Sequence, residues 1–293
     1  RHRALAPRRR KRYDRPRMRR LSVASPAAVL LLFTSVLLVA GACAGREQGF
    51  REAYARQTAG KRGEELRSAL VALDQQYPRE LSLKVNLGAV CLAAGDLPAA
   101  AAYLERGEGL ARSLRYRREG KLRYLLEANL AEHRLRAGRP LEAAAHADRA
   151  LALGVEDEIA VVFTRAKARL ASGDASAALA DFAAGRAGSR QMNLEDYAAW
   201  IGALTAAGKL EEALGAYGER RRRHGYLAGQ GLEESLLYER LGRSEEAALS
   251  AFLELEHRRG AGSQSETQIR GNLEALRRRF QDSGATEAAQ AVS

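Results

Sequence analysis

Gly95-Asp-Leu-Pro-Ala-Ala100, Gly138-Arg-Pro-Leu-Glu-Ala143, Gly173-Asp-Ala-Ser-Ala-Ala178, Gly208-Lys-Leu-Glu-Glu-Ala213 and Gly242-Arg-Ser-Glu-Glu-Ala247 are five copies of one pattern, a Gly followed five residues later by Ala. The Gly spacings are 43, 35, 35 and 34 residues, and a weaker sixth copy at Gly60, 35 residues upstream of the first, has Glu65 in place of the Ala. Self-similarity at a fixed period of this length marks an array of small supersecondary units. Gly can end a helix in the left-handed conformation without a Cβ clash, so it marks the turn inside each helical hairpin. The Ala falls early in the second helix, where a small side chain lets the two backbones approach. Leu104, Phe182 and Tyr217, one turn later, then fill the space beside the next hairpin.

Spacing, Gly and Ala together resemble the tetratricopeptide repeat, whose period is about 34 residues. Leu87-Gly88 matches the paired large and small residues of that family's first helix, as do Leu130-Ala131 and, loosely, Trp200-Ile201. Ala143 to Leu153 reads as a second helix. Arg134 and Arg169 stand where the family usually has an aromatic, and the Pro after the second helix is largely missing, so irregular repeats are expected. The resemblance implies an all-α fold, an α-α superhelix of five to six hairpins over residues 43–259. The 43-residue interval holds about eight extra residues, placed at Gly107 to Gly120, which either lengthen helices or form a protruding loop. Residues 260–281 read as a linker and a capping helix whose Ile269, Leu273, Leu276 and Phe280 would cover the open end, with a disordered tail over 282–293.

Composition agrees with short, closely packed helices: 46% of residues are apolar but only 6% are aromatic. The net charge of +12 would suggest an anionic partner, yet residues 1–20 hold ten Arg and one Lys against Asp14, leaving 37 basic and 35 acidic side chains in the rest. The body is nearly neutral; Gly107 to Gly120 is rich in Arg, and the consecutive run Arg220 to Arg223 is read as a solvated helix end. Nucleic acid is therefore not an expected partner.

Leu21 to Gly45 is a run of 25 residues without a charge, preceded by Met18-Arg19-Arg20 and ending in Ala40-Gly41-Ala42-Cys43. A basic start, an apolar core and small residues before a cleavage point are the parts of a secretory signal. The ending resembles the lipobox of bacterial lipoproteins, with Ala three residues before the Cys where Leu is commoner. That resemblance implies a signal peptide over 18–42, acylation of Cys43 and a cell-envelope location; Ala44 after the Cys favours the outer membrane over the inner. An uncleaved transmembrane anchor is the alternative, since 25 uncharged residues suffice to span a bilayer. Residues 1–17, ahead of Met18, read as a non-native extension or a disordered basic tail.

No phosphate loop, nucleophile elbow or metalloprotease helix is present, and the five His residues show no metal-ligand spacing, so neither enzyme, metal nor cofactor is expected. His133 and His146 are expected at the surface, and Cys91 as a buried small hydrophobe. The family resemblance implies instead a concave surface lined by first helices that takes a partner protein. In phase with the hinges, Val85, Leu92, Leu135, Phe163, Leu170 and Leu232 would line it, with Glu132, Arg136 and Lys167 as polar contacts. The same Leu stripe suits a core equally well if the helices are rotated. The expected function is a non-enzymatic scaffold of the envelope, and the alternative an envelope enzyme or carbohydrate binder with an unrecognised site.

Overall fold

The computed structural model describes residues 46–154, 159–188 and 192–260, together with isolated positions between 268 and 281. The chain separates into residues 1–39 and 40–293, and every described helix belongs to the second unit. The extension 1–17, the signal 18–42, Cys43, and nearly all of the linker, capping helix and tail lie outside the described residues.

Among the described residues twelve α-helices follow in order: α1 Arg46–Thr58, α2 Gly63–Gln76, α3 Leu81–Ala93, α4 Leu97–Ala111, α5 Gly120–Arg136, α6 Pro140–Leu151, α7 Ile159–Ala171, α8 Ala175–Ala187, α9 Leu194–Ala206, α10 Leu210–His224, α11 Gln230–Arg240 and α12 Ser244–Gly260. They pair into six hairpins, each turning at one of the expected glycines, as in the tetratricopeptide-like superhelix the sequence predicts. Gly60, Gly95, Gly138, Gly173, Gly208 and Gly242 all have φ between 71° and 89°. In five of these turns the residue after the Gly returns its N–H to the carbonyl five positions back: Asp96 to Cys91 at 2.9 Å, Arg139 to Arg134 at 2.8 Å, and Asp174 to Arg169, Lys209 to Leu204 and Arg243 to Tyr238 at 2.9 Å. That bond uses a carbonyl left over at the helix end, and only a left-handed residue in between allows it.

The recurrent Ala then closes the first bond of the second helix. Ala100, Ala143, Ala178, Ala213 and Ala247 donate to the carbonyls of Asp96, Arg139, Asp174, Lys209 and Arg243, and all five are fully buried. Larger side chains lie beside small ones elsewhere in the hairpins. Leu104 of α4 covers Gly88 of α3, and a Cβ on Gly185 of α8 would sit 2.5 Å from Phe163 of α7. Phe182 and Tyr217, expected between hairpins, are buried there.

The long interval resolves into both of its expected forms at once. The second helix α4 and the next first helix α5 run to 15 and 17 residues, and a 3-10 turn at Leu114–Tyr116 joins them. Tyr116 is buried, and its hydroxyl donates to the Arg79 carbonyl at 2.8 Å while the Leu81 N–H lies 3.3 Å away. The turn is thus pinned to the hairpin before it.

First helices α3, α5, α7 and α9 pack on one another in succession, whereas successive second helices make no comparable contact. The stack therefore bends toward the first helices, which line its concave side. The last hairpin is different: α11 joins the stack mainly through α10.

Candidate functional site

The inner line of first helices is held by polar groups that each reach a neighbour. Asn86 of α3 donates to the Tyr54 hydroxyl of α1 at 3.0 Å, and Asn129 of α5 to the Val85 carbonyl of α3 at 3.3 Å. Arg136 of α5 reaches the Leu92 carbonyl at 2.8 Å while pairing with Glu132 at 2.7 Å. Thr164 of α7 lies 3.4 Å from the other Glu132 oxygen, and Lys167 pairs with Asp196 of α9 at 3.1 Å. Asp196 is itself half of a capping box with Asn193 that starts α9. The three polar residues expected in the groove are there, but each serves as a rung between first helices.

The apolar residues assigned to the groove divide. Val85 is 2% exposed, Leu92 0% and Phe163 2%, so these three belong to the core. Phe163 points at Gly185 of its own second helix, which fixes a helix rotation that turns it away from the groove. Leu135 and Leu170 are half-buried, Leu170 against Gly202 of α9, and Leu232 remains on the surface. Leu236, one turn beyond Leu232 on the same side of α11, is 50% exposed. Of the apolar residues assigned to the groove, Leu135, Leu170 and Leu232 thus keep some accessible surface, and Leu232 on α11 is the most exposed.

On the other side, an arginine crosses every junction between hairpins. Arg67 reaches Asp96 at 2.7 Å, Arg134 reaches Glu105 at 3.4 Å, Arg165 reaches Asp148 at 2.7 Å, Arg186 reaches Glu219 at 2.9 Å and Arg243 reaches Glu211 at 3.2 Å. The strongest node is buried: Asp181 of α8 receives Arg165 through Nη2 at 2.7 Å and Nε at 3.0 Å, and Arg169 through Nη1 at 2.9 Å. Arg134 and Arg169, the departures from the family's aromatic position, are therefore occupied by ion pairs in place of ring packing. Neighbouring carboxylates raise the Arg165 guanidinium's affinity for its proton beyond what burial removes. For Asp96, the Ala99 N–H and then Arg67 hold the carboxyl below its usual range.

Two histidines expected at the surface are buried. His133 places Nε2 3.2 Å from the Leu97 carbonyl, and burial followed by the adjacent Arg134 pushes its pKa below 6.5. His146 shares the Glu127 carboxylate with Arg149 at 2.8 and 2.9 Å. Burial raises the Glu127 pKa, but His146 and Arg149 outweigh it and leave the carboxyl below its usual range. Arg220, read with Arg221 to Arg223 as a solvated helix end, lies over the Tyr217 ring at 4.8 Å and is buried, while the other three are exposed. Cys91 is buried as expected, and burial pushes its thiol up.

No group of three or more His, Cys, Asp or Glu able to hold a metal occurs among the described residues, and none of the described helices is long and apolar enough to cross a membrane. No protein-family model matches the chain, and no curated protein matches it. Among solved structures it is similar to that of YrrB, described as a TPR protein with an unusual peptide-binding site, with a TM-score of 0.48 and 15% identity over 64% of this chain and 91% of that one.

Proposed function

We propose that the protein is a non-catalytic scaffold that takes an apolar segment of a partner protein along its concave side, and that it is tethered to the bacterial envelope through lipid on Cys43. The observation that carries the first part is the state of the inner surface. Its polar side chains are committed to neighbouring first helices, so what remains for a partner is the apolar line of Leu135, Leu170, Leu232 and Leu236. Such a surface suits leucine-like side chains of a peptide or helix better than a sugar or a charged terminus. Changing Leu232 and Leu236 to Glu should abolish recovery of a stoichiometric partner from solubilised membranes while leaving the helical signal intact. Undiminished recovery would remove this surface from consideration.

The tether rests on the sequence. A signal over 18–42 and the small residues before Cys43 support acylation and an envelope location, with the outer membrane favoured. Mass spectrometry of the native N-terminus decides it: a diacylated peptide beginning at Cys43 is expected, and an intact Leu21–Gly45 segment would replace the lipid by an uncleaved anchor.

A further inference from the structure

The inter-hairpin turn between α4 and α5 carries a feature that the concave surface does not explain. From Arg112 to Arg123 there are six cations and one acid, Glu119. Arg112, Arg115, Arg117, Arg118 and Lys121 are all exposed. At the apex is Leu114, which is 80% exposed, more than any other large apolar side chain described. Two of these cations meet acids: Glu108 lies 3.5 Å from Arg112 and Glu80 lies 3.0 Å from Arg115.

The turn is also held rigidly. Tyr116, two residues from Leu114, is buried with its hydroxyl bonded to the Arg79 carbonyl, and its ring lies 5.0 Å from the Arg115 guanidinium. One aromatic anchor pointing in thus fixes a leucine pointing out. An isolated exposed Leu needs no explanation, but a Leu presented by a pinned turn and flanked in sequence by exposed cations has the chemistry of an interfacial wedge.

We propose that this turn docks on an anionic lipid surface, with the Arg and Lys side chains at the headgroups and Leu114 entering the acyl boundary. Phospholipid is favoured over nucleic acid or an acidic protein loop because the apex is apolar and exposed cations flank it on both sides in the sequence, which matches a surface that is charged outside and apolar beneath. The inference is independent of the partner-binding reading, since it uses the edge of the stack opposite the hinge glycines and none of the inner-surface residues.

The test uses the full chain with Leu114→Trp in a Trp200→Phe background, mixed with phosphatidylcholine vesicles with or without phosphatidylglycerol. The indole at position 114 should shift to the blue and be quenched by brominated lipid only when phosphatidylglycerol is present. Each near-surface cation contributes about fivefold to partitioning, so Arg117→Gln, Arg118→Gln and Lys121→Gln together should move the turn's equilibrium toward water on the order of a hundredfold and abolish the quenching. Because the readout is local to position 114, adsorption through the leader does not mimic it. Emission unchanged by anionic vesicles would overturn the proposal, as would quenching that persists in the triple variant. Unchanged emission with vesicles but a shift on adding acidic polypeptide would also overturn it, by assigning the turn to a protein.

Discussion

Replacing Asp181 by Ala should destabilise the protein more than any other single change on the outer side of the stack. The carboxylate is 5% exposed and accepts three charge-assisted bonds, two from Arg165 and one from Arg169. Removing one partner from a fully buried ion pair costs about 3–5 kcal/mol, mostly because the other charge is left without compensation. Here the two arginine side chains are 20% and 28% exposed, and Arg165 keeps Asp148, so partial rehydration lowers the expectation to about 2–3 kcal/mol. The urea midpoint from circular dichroism should fall accordingly, with unfolding of α7 and α8 ahead of the rest if the stack loses cooperativity. The combined change Arg165→Met and Asp181→Leu should restore at least half of the loss, because apolar packing replaces a desolvated pair. A single-variant loss under about 1 kcal/mol, the range of an exposed pair, would refute the reasoning that this node is electrostatically buried.

Other outcomes follow from the same geometry. Tyr116→Phe removes the hydroxyl that pins the Leu114 turn to Arg79 and Leu81, so trypsin cleavage at Arg115, Arg117 or Arg118 should accelerate on the order of tenfold with little change in global stability. Gly231→Ala would drive a methyl against the Ser250 carbonyl, the Tyr226 hydroxyl at 2.5 Å and the Glu254 Cβ at 2.7 Å, costing about 3 kcal/mol, whereas Gly215→Ala, which meets nothing within 4 Å on α10, should be neutral or stabilise by up to about 1 kcal/mol. Burial makes His133 titrate at lower pH when folded than the ordinary histidine value of about 6.5, so the unfolded chain takes up its proton first and stability should decline as pH drops below about 6.5, at no more than about 1.4 kcal/mol per pH unit. Urea midpoints at about pH 7.5 and 5.5 should differ in the natural chain and converge in His133→Phe. The depressed carboxyls of Glu127 and Glu254 act only in a lower window, nearer pH 4, where their protonation costs further stability.

The hinges were legible because each is decided locally: a Gly in left-handed conformation and an Ala at the first bond of the next helix leave a signature that needs no distant partner. Helix rotation was harder to read. The run Leu81 to Leu92 in α3 is apolar on nearly all sides, and its long polar residues, Lys84 and Asn86, are buried against Asp74 and Tyr54, so apart from the small, half-buried Ser82 no wet side marks its phase. Phe163 illustrates the same gap, since its burial depends on Gly185, 22 residues away, leaving room for the ring. The buried histidines were missed for a related reason: His133 sits among Arg134 and Glu132 in the sequence, and only the Leu97 carbonyl from the preceding hairpin makes its burial tolerable. Arg134 and Arg169 did carry a readable signal, as charged residues at an aromatic position imply carboxylate partners on the second helices.

Two kinds of contact therefore hold the repeats in register, and they stop at different places. Arginine pairs on the outer side cross all five junctions, from Arg67 to Arg243. The inner rungs between first helices run from Tyr54 to Asp196 and give way at the last junction to contacts through α10, where the Tyr217 hydroxyl donates to Glu233 at 2.8 Å and Gln230 donates to the Tyr217 carbonyl at 3.4 Å. At that junction the buried Gln230 Oε1, Ser235 Oγ and Arg220 Nε have no hydrogen-bond partner among the described residues. Each such atom costs about 1–3 kcal/mol of desolvation, and with the inner rungs ending before it the final hairpin is expected to open first. It is also the unit that exposes Leu232 and Leu236. Hydrogen exchange should find α11 and α12 opening before α3 to α9, and a partner seated on those leucines should raise their protection. Equal protection along all six hairpins would separate the apolar surface from the weak junction and leave the partner site without this coupling.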